Sequence, residues 1–166
     1  YTTLFRSNNA GGNNNQNNNN QNNTDVNITS GKYSIGTYIT GIEPGTGAAD
    51  FVKNIAVSAS GTVKLLTSSG SENSGKIATG NKVAVYDASG NLKKTYDIVI
   101  YGDINGDGAV NALDMIKLNR HILGKGTLTG AYLEAADANR KRDGGNALDM
   151  IIMNRHILGK SKISQN

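Results

Sequence analysis

Hydrophobic residues follow two different spacings along the 166-residue chain, and the spacing changes near residue 102. Between residues 31 and 101, short alternating or β-branched runs are separated by Gly-rich turns, which is typical of β-strands. The expected strands are Tyr33 to Ile42, Thr62 to Thr67, Lys82 to Tyr86 and Leu92 to Tyr101. A short helix is expected at Ala48 to Ile55, with Thr46 as its cap. This part of the chain therefore predicts a small β-rich module.

Beyond residue 102, apolar positions recur every three or four residues, which is the spacing of an amphipathic helix. The pattern predicts helices at Ala112 to Leu123 and Ala147 to Leu158, with a short helix near Gly130 to Ala135 between them. Gly124 and Gly159 follow the two long helices, where a left-handed cap is expected. The predicted fold class is α+β, with a β-rich N-terminal module followed by an all-α part.

The two long helices are near copies of each other. The segment NALDMIKLNRHILGK, which begins at Asn111, returns as NALDMIIMNRHILGK at Asn146. Residues three or four apart share a helix face, so one apolar row of each helix is expected in the core. These rows are Met115, Leu118 and Ile122, and Met150, Met153 and Ile157.

The opposite face of each helix combines apolar residues with an Arg, which is a composition typical of protein-binding surfaces. We therefore predict two docking faces. The first docking face comprises Ala112, Leu113, Ile116, Asn119, Arg120 and Leu123, and the second comprises Ala147, Leu148, Ile151, Asn154, Arg155 and Leu158. The alternative is a larger core that buries Ile116 and Ile151.

Residues 103–114, called loop 1 below, carry oxygen-bearing side chains at positions 1, 3, 5, 9 and 12 and Gly108 at position 6. Calcium prefers six to eight oxygen ligands, and a Gly at position 6 permits the sharp turn that surrounds it. The predicted ligands are the side chains of Asp103, Asn105, Asp107 and Asp114, the carbonyl of Ala109, and Asn111 directly or through water. An acidic turn that caps a helix would account for Asp114 alone.

A second, altered loop spans the thirteen residues 137–149 and is called loop 2 below. Its predicted ligands are Asp137, Asn139, Asp143, Asn146 and Asp149. The positively charged residues Arg140, Lys141 and Arg142 precede the central ligand Asp143. Positive side chains beside a bound calcium ion lower the affinity of the loop for calcium. We therefore expect calcium at two sites, with the second site weaker or irregular.

Composition excludes several classes of function. The formal net charge is +4, but residues 102–160 hold eight Lys or Arg against seven Asp or Glu, without the aromatic interleaving of a nucleic-acid surface. The chain has no Cys, so disulfides and thiolate metal sites are excluded. No run of about twenty apolar residues is present, so membrane insertion is not expected.

Residues 1–30 are rich in Asn and have little apolar periodicity, so we expect a flexible linker there. Because the chain begins without Met, we expect it to be a fragment of a longer protein. His121 and His156 occupy equivalent places in the two repeats, which favours a duplicated structural role over catalysis. No catalytic residue is therefore predicted.

With both loops and helices in place, residues 102–160 closely resemble a type I dockerin. The resemblance rests on GDINGDGAVNALDMIKLNRHIL and AADANRKRDGGNALDMIIMNRHIL. It implies a non-catalytic, calcium-dependent module that binds a cohesin domain of a cellulosome-like scaffold, outside the cell or at its surface. It also implies that the chain is the C-terminal fragment of a larger secreted enzyme or scaffold component. Residues 31–101 are similar to the small X-type modules that precede some dockerins. The expected division is 1–30 linker, 31–101 X-type module, 102–162 dockerin and 163–166 tail.

The resemblance also implies which residues contact cohesin. These are the pairs Ala112-Leu113 and Ala147-Leu148, and the pairs Asn119-Arg120 and Asn154-Arg155. Many relatives carry Ser-Thr or Lys-Arg at these places, so the class of cohesin stays open. The near-identity of the two helices implies that either docking face can bind, with the module turned by half a rotation.

Two other functions remain as alternatives. A calcium-switched sensor would open a groove for an amphipathic peptide, but Asp114 and Asp149 replace the Glu expected at position 12 of such loops. Alternatively, residues 31–101 would bind carbohydrate. Because this segment has no Trp to stack on a sugar, a carbohydrate ligand is not expected.

Overall fold

The computed structural model describes residues 26–58 and 60–166, and the predicted α+β class is confirmed. Residues 1–25, which hold most of the expected linker, lie outside the described residues. The strands are β1 (Ile28–Thr29), β2 (Ser34–Ile35), β3 (Tyr38–Thr40), β4 (Ala56–Val57), β5 (Thr62–Leu66), β6 (Lys82–Tyr86) and β7 (Leu92–Ile98). The helices are α1 (Ala48–Lys53), α2 (Ala112–Ile122), α3 (Gly130–Ala136) and α4 (Ala147–Ile157).

Five strands form one sheet in the order β2-β3-β7-β6-β5, and β1 pairs separately with β4. All neighbours are antiparallel except β3 and β7, which run parallel. Along β5, Val63 and Leu65 are buried while the residues between and beside them are half-exposed. This alternation turns one face of the sheet towards a core, as the sequence pattern predicts.

Two of the predicted strands differ from the structure. The segment Tyr33 to Ile42 is a hairpin of β2 and β3, because the chain reverses at Gly36 and Thr37. The strand that was expected to continue to Tyr101 ends at Ile98, which pairs with Ile39 of β3.

Helix ends follow local chemistry. The first helix begins after Gly47, which has no side chain to cap it, and the hydroxyl of the predicted cap, Thr46, donates to the carbonyl of Glu43. The predicted left-handed caps are confirmed at Gly124 and Gly159, which have φ values of +66° and +68°. At such angles a side chain would be strained, so Gly is favoured at both positions.

The buried residues form two cores. The first lies within the β-rich region, which here means residues 26–101, and includes the stacked rings of Tyr33 and Phe51 at a centroid distance of 5.0 Å. The second core joins the C-terminal helices around Leu118 and Met153, both fully buried. Val99 and Tyr101 belong to this second core, so the end of the β-rich region is packed against the helices.

Segments at both edges of the described chain contribute to these cores. Val26 and Ile28, within the expected linker, are buried in the first core, and β1 pairs with β4. Ile163, within the expected tail, is buried in the second core. The side-chain amide of Gln165 donates to the Tyr101 carbonyl at 3.0 Å and accepts from the Tyr101 N–H at 2.8 Å. The end of the chain is thus held against the junction between the two cores.

Within residues 26–58 and 60–166, none of the helices has the length and apolar character needed to cross a bilayer.

Candidate functional site

Loop 1 is folded around the buried carboxylate of Asp103. One oxygen accepts hydrogen bonds from the main-chain N–H groups of Gly106 and Asp107, at 2.9 and 3.0 Å. The other accepts from Gly108 at 3.1 Å and from Thr79 of the β-rich region at 2.8 Å. Asp103 therefore sets the curvature of the loop.

Asp114 closes loop 1 at the first turn of α2. Its Oδ1 accepts from the N–H groups of Ile104 and Asn105, and its Oδ2 accepts from the N–H of Asn111. The side chain of Asn111 in turn accepts from the N–H of Leu113, which completes a capping box. The Asn-x-x-Asp spacing was a signal for this cap that the sequence interpretation did not use.

The remaining predicted ligands of loop 1 lie near its surface. Asn105 donates from its amide to Asp107 at 2.8 Å, and its amide oxygen accepts from the Asp107 N–H. Asp107 is exposed and also accepts from the N–H of Ala109. These short contacts hold oxygen atoms of the predicted ligand set on one small loop.

The electrostatics of loop 1 favour a cation. Burial raises the pKa of Asp103 to about 6, against the lowering effect of the Thr79 N–H and with a further raising effect of the Asp114 charge. Burial also raises the pKa of Asp114. The ion pairs among the described residues join Lys53 with Asp50 and Lys82 with Asp97, so neither buried carboxylate has a paired counter-charge. A hard cation with oxygen ligands fits this donor set.

Loop 2 repeats the plan with fewer internal bonds. Asp137 accepts from the N–H groups of Lys141 and Arg142, and Asp149 accepts from those of Asn139 and Asn146. Asn146 accepts from the N–H of Leu148, and with Asp149 it forms the capping box of α4. Burial raises the pKa of Asp149.

The structure brings three carboxylates of loop 2 together. Oxygen atoms of Asp137, Asp143 and Asp149 lie within 4.8 Å of one another. Among the described residues, this is the one set of three acidic or His side chains that meets this distance, so the three Asp residues of loop 1 do not. In both loops an Asn amide donates to an exposed Asp, Asn105 to Asp107 in loop 1 and Asn139 to Asp143 in loop 2.

Two of the inserted cations occupy the positive-φ positions of the loop 2 turn, where loop 1 has Gly106 and Gly108. Arg140 and Arg142 have φ values of +57° and +58°, and they are the non-Gly residues with positive φ among those described. The left-handed conformation costs a residue with a side chain about 1 kcal/mol or more. The guanidinium of Arg140 lies 5.9 Å from the centre of the Tyr101 ring, outside the loop.

The two predicted docking faces are exposed on α2 and α4. Leu113 is 58 % exposed and its counterpart Leu148 is 52 % exposed. Apart from Leu92, every exposed large hydrophobic residue among those described lies on one of these helices or at its end. The other predicted members, Ala112, Asn119, Arg120, Ala147, Asn154 and Arg155, are also exposed. The alternative in which a larger core buries Ile116 and Ile151 is therefore wrong.

The predicted core rows need one correction. Leu118 and Met153 are fully buried, and Met115 and Met150 pack partly buried against the second core. Ile122, however, is 39 % exposed, and Ile157 is half-buried without being part of the second core; each is the last residue of its helix.

Residues 101–158 match the family model described as the dockerin type I domain. These residues form a type I dockerin domain. Dockerin domains are non-catalytic, calcium-binding modules that bind cohesin domains in cellulosome assemblies. The comparisons with curated proteins and with solved structures returned no match. The preceding β-rich region is consistent with the module expected there.

The two His residues of the dockerin domain have equivalent structural contacts. His121 Nδ1 accepts from the N–H of Leu128 at 3.3 Å, and His156 Nδ1 accepts from the N–H of Ile163 at 3.1 Å. Leu128 and Ile163 both pack into the second core. Each His therefore fixes the segment that follows its helix.

The sequence interpretation missed the contacts between the β-rich region and loop 1. The N–H of Gly45 donates to the carbonyl of Gly108 at 2.9 Å, and the N–H of Thr79 donates to Asp103. A Cβ on Gly108 would lie 2.5 Å from the carbonyl oxygen of Ile77. These contacts are made by main-chain atoms that are far from loop 1 in sequence, so no pattern of side chains predicts them.

Proposed function

We propose that this chain anchors a secreted bacterial protein to a cellulosome-like scaffold through calcium-dependent binding of its dockerin domain to cohesin. The observation that carries the proposal is the pair of matched docking faces, which expose the same residue types at the same positions of α2 and α4. Apolar side chains around a central Arg suit the core of a protein interface.

In this proposal, calcium is held by loop 1 and loop 2. The residues of loop 1 are Asp103, Asn105, Asp107, Ala109, Asn111 and Asp114, and those of loop 2 are Asp137, Asn139, Asp143, Asn146 and Asp149. Support comes from the unpaired buried carboxylates of loop 1 and from the three converging carboxylates of loop 2. When bound, calcium supplies positive charge that offsets the cost of burying these carboxylates.

Calcium would act on docking through the starts of the two helices. Asp114 and Asp149 are both proposed ligands and members of the capping boxes that begin α2 and α4. A ligand fixed by the metal therefore fixes the first helical turn, where Leu113 and Leu148 are exposed. Metal binding and ordering of the docking faces are then linked.

The duplication supports two binding orientations. Leu123 and Leu158 are 57 % and 58 % exposed, and Ile116 and Ile151 are 56 % and 57 % exposed. Because cohesin would meet nearly the same surface in either case, we propose that the dockerin domain binds by either helix. The inserted cations Arg140, Lys141 and Arg142 are not members of either docking face. We propose that their charge favours one binding orientation over the other.

We further propose that the β-rich region is an X-type module and that the chain belongs to a larger secreted protein, which it attaches to the scaffold. The proposed division keeps an N-terminal linker, the X-type module, the dockerin domain and a C-terminal tail. Burial of Ile28 supports an X-type module that begins before residue 31, and burial of Ile163 supports a tail that is packed on the dockerin domain.

The direct test is calorimetric titration of the full chain against a panel of cohesin domains, in calcium and after removal of metal by chelator. We expect at least one cohesin to bind in calcium with loss of binding on chelation. Equal binding in both conditions would contradict calcium dependence, and a panel without any binder would contradict the cohesin assignment.

A calcium module coupled to a carbohydrate-binding β domain is the second candidate, and one observation favours it. A cleft of about 560 Å³ is lined by Tyr33, Tyr96, Lys94, Ser30 and neighbouring residues of the β-rich region. The hydroxyl of Tyr33, one of the lining residues, is buried without a hydrogen-bond partner. A sugar that reached this hydroxyl from the cleft would satisfy it.

Two observations weigh against the carbohydrate candidate. The ring of Tyr33 is stacked on Phe51, and Lys94 lies over the ring of Tyr96 at 4.4 Å, so both rings already have a neighbour. Retention of the chain on insoluble polysaccharide, lost in Tyr33→Phe, would establish this candidate. Equal retention of the unaltered chain and Tyr33→Phe, or no retention, would contradict it.

A further inference from the structure

Loop 1 rests against a wall of the β-rich region that donates to one of its buried carboxylates, whereas among the described residues the N–H donors to Asp137 and Asp149 belong to loop 2 itself. The wall is residues 76–80, the segment that leads into β6 of the β-rich region. Thr79 donates its main-chain N–H to the carboxylate of Asp103 at 2.8 Å, and Asp103 is fully buried. The remaining N–H donors to Asp103 come from loop 1 itself.

Close packing confirms that the wall and loop 1 fit each other. A Cβ on Gly108 would lie 2.5 Å from the Ile77 carbonyl oxygen, and a Cβ on Gly106 would lie 2.9 Å from the Thr79 carbonyl oxygen. Both obstacles are main-chain atoms, which do not move aside as the end of a side chain does. In loop 2 the corresponding positions are Arg140 and Arg142, which have positive φ as Gly106 and Gly108 do but carry side chains.

Thr79 is itself held in place by its hydroxyl. This group donates to the carbonyl of Ile100 at 3.2 Å and accepts from the N–H of Ile100 at 3.1 Å. Ile100 lies three residues before Asp103, so both partners of the Thr79–Asp103 hydrogen bond are fixed relative to each other. All of these groups are buried.

We infer that residues 76–80 are an integral part of the first calcium site, with Thr79 as a positioning residue for the ligand Asp103. The inference rests on the proposed binding of calcium by loop 1. Groups that orient a metal ligand change metal affinity by about 10- to 100-fold when removed. Residues 76–80 therefore set the calcium affinity of loop 1 but not that of loop 2, and calcium in loop 1 stabilises this segment of the β-rich region.

The test measures each loop separately in the full chain. Asp143→Ala removes an exposed carboxylate of loop 2, so calcium binding in this variant reports on loop 1. Asp107→Ala removes an exposed carboxylate of loop 1, so calcium binding in that variant reports on loop 2. Thr79→Ala is then added to each, with Thr79→Ser as the variant that keeps the hydroxyl. Thr67→Ala is the matched control, because its hydroxyl contacts Ser69 at the surface, away from both loops.

Calorimetric titration with calcium gives the readout. We expect Thr79→Ala to weaken calcium binding about tenfold in the Asp143→Ala background and less than twofold in the Asp107→Ala background. Thr79→Ser and Thr67→Ala are expected to stay within twofold in both. An equal effect of Thr79→Ala on the two loops, or none on loop 1, overturns the inference. If the Asp143→Ala protein binds no calcium, the proposed site itself fails.

Hydrogen exchange provides a measurement that does not depend on folding of the Thr79 variant. Calcium is expected to slow exchange of the Thr79 and Ile100 N–H groups in the Asp143→Ala protein and to leave it unchanged in the Asp107→Ala protein. Equal slowing in both proteins would contradict a specific link between the β-rich region and loop 1.

Discussion

Loop 1 and loop 2 lead into nearly identical helices but have different surroundings. Loop 1 has Gly106 and Gly108 at positive φ and rests against residues 76–80 of the β-rich region. Loop 2 has Arg140 and Arg142 at positive φ and three converging carboxylates, one of them exposed. The comparison teaches that two nearly identical helix surfaces begin at two loops with different surroundings, so the docking faces are matched while the two proposed calcium sites are not.

The largest expected effect tests whether the two docking faces are equivalent. Changing Ala112→Asp and Ala147→Asp together should weaken cohesin binding about a thousandfold, because each places an unpaired charge in an apolar interface. Either single change should cost only a few-fold, since the other face remains. Calorimetry with a cohesin that binds the unaltered chain measures this. If one single change abolishes binding, the two-orientation proposal fails.

The next effect concerns the pH dependence of the metal-free protein. In the folded chain the pKa of Asp103 is about 6, above its ordinary value of 3.8, so the folded state binds this proton more tightly than the unfolded state does. The resulting stabilisation is complete below about pH 4 and is lost as pH rises through 6, by up to about 3 kcal/mol. Denaturant unfolding of metal-stripped protein at several pH values measures it.

Asp103→Asn is the matched control for that experiment, because it cannot titrate. Its free energy of unfolding should vary less between pH 4 and 7 than that of the unaltered chain. Calcium should reverse the trend, since it requires deprotonated ligands. A metal-free protein that gains stability over this range, relative to Asp103→Asn, would contradict the burial of an uncompensated carboxylate.

A smaller effect separates the two loops by their last ligand. Asp114→Asn and Asp149→Asn make the same change at the starts of α2 and α4. If loop 1 binds calcium about tenfold more tightly, Asp114→Asn should remove about 1.4 kcal/mol more of the calcium-dependent stabilisation than Asp149→Asn does. Thermal unfolding with and without calcium measures the difference, and equal losses would show that the loops are equivalent.

The smallest effect tests the strained turn of loop 2. Arg142→Gly should stabilise the protein by about 1 kcal/mol, because Gly adopts positive φ without strain. Lys141→Gly removes the same charge at a neighbouring residue without positive φ, so it should lack this gain. Denaturant unfolding compares the two. A similar change in both variants would mean that charge, and not backbone strain, distinguishes this turn.

What the sequence could predict follows from how local each signal is. Periodicity placed α2 and α4 within one residue at their C-terminal ends, and the predicted β6 has its observed bounds. The hairpin inside Tyr33 to Ile42 was missed because one Gly in an alternating run gives a weak turn signal. Short β1 and β4 were missed because a two-residue strand has no period to detect.

The candidate site likewise has features that the sequence predicts and features that it does not. Exposure of Leu113 and Leu148 followed from helix spacing, since α2 and α4 bury only one face against the second core. The contact of Thr79 with Asp103 did not follow from the sequence. A main-chain N–H is present at almost every residue, and only the tertiary fold determines which one donates to the carboxylate. Coordination by the named loop residues stays a prediction.

The central claim is that both loops bind calcium and that loop 1, completed by the β-rich region, binds it first. Amide NMR of the full chain during calcium titration tests this most directly, with the N–H signals of Gly108 and Gly144 as reporters of the two loops. The Gly108 signal should reach its calcium-bound position at a lower calcium concentration than the Gly144 signal does. Simultaneous saturation, or earlier saturation of Gly144, would contradict the claim.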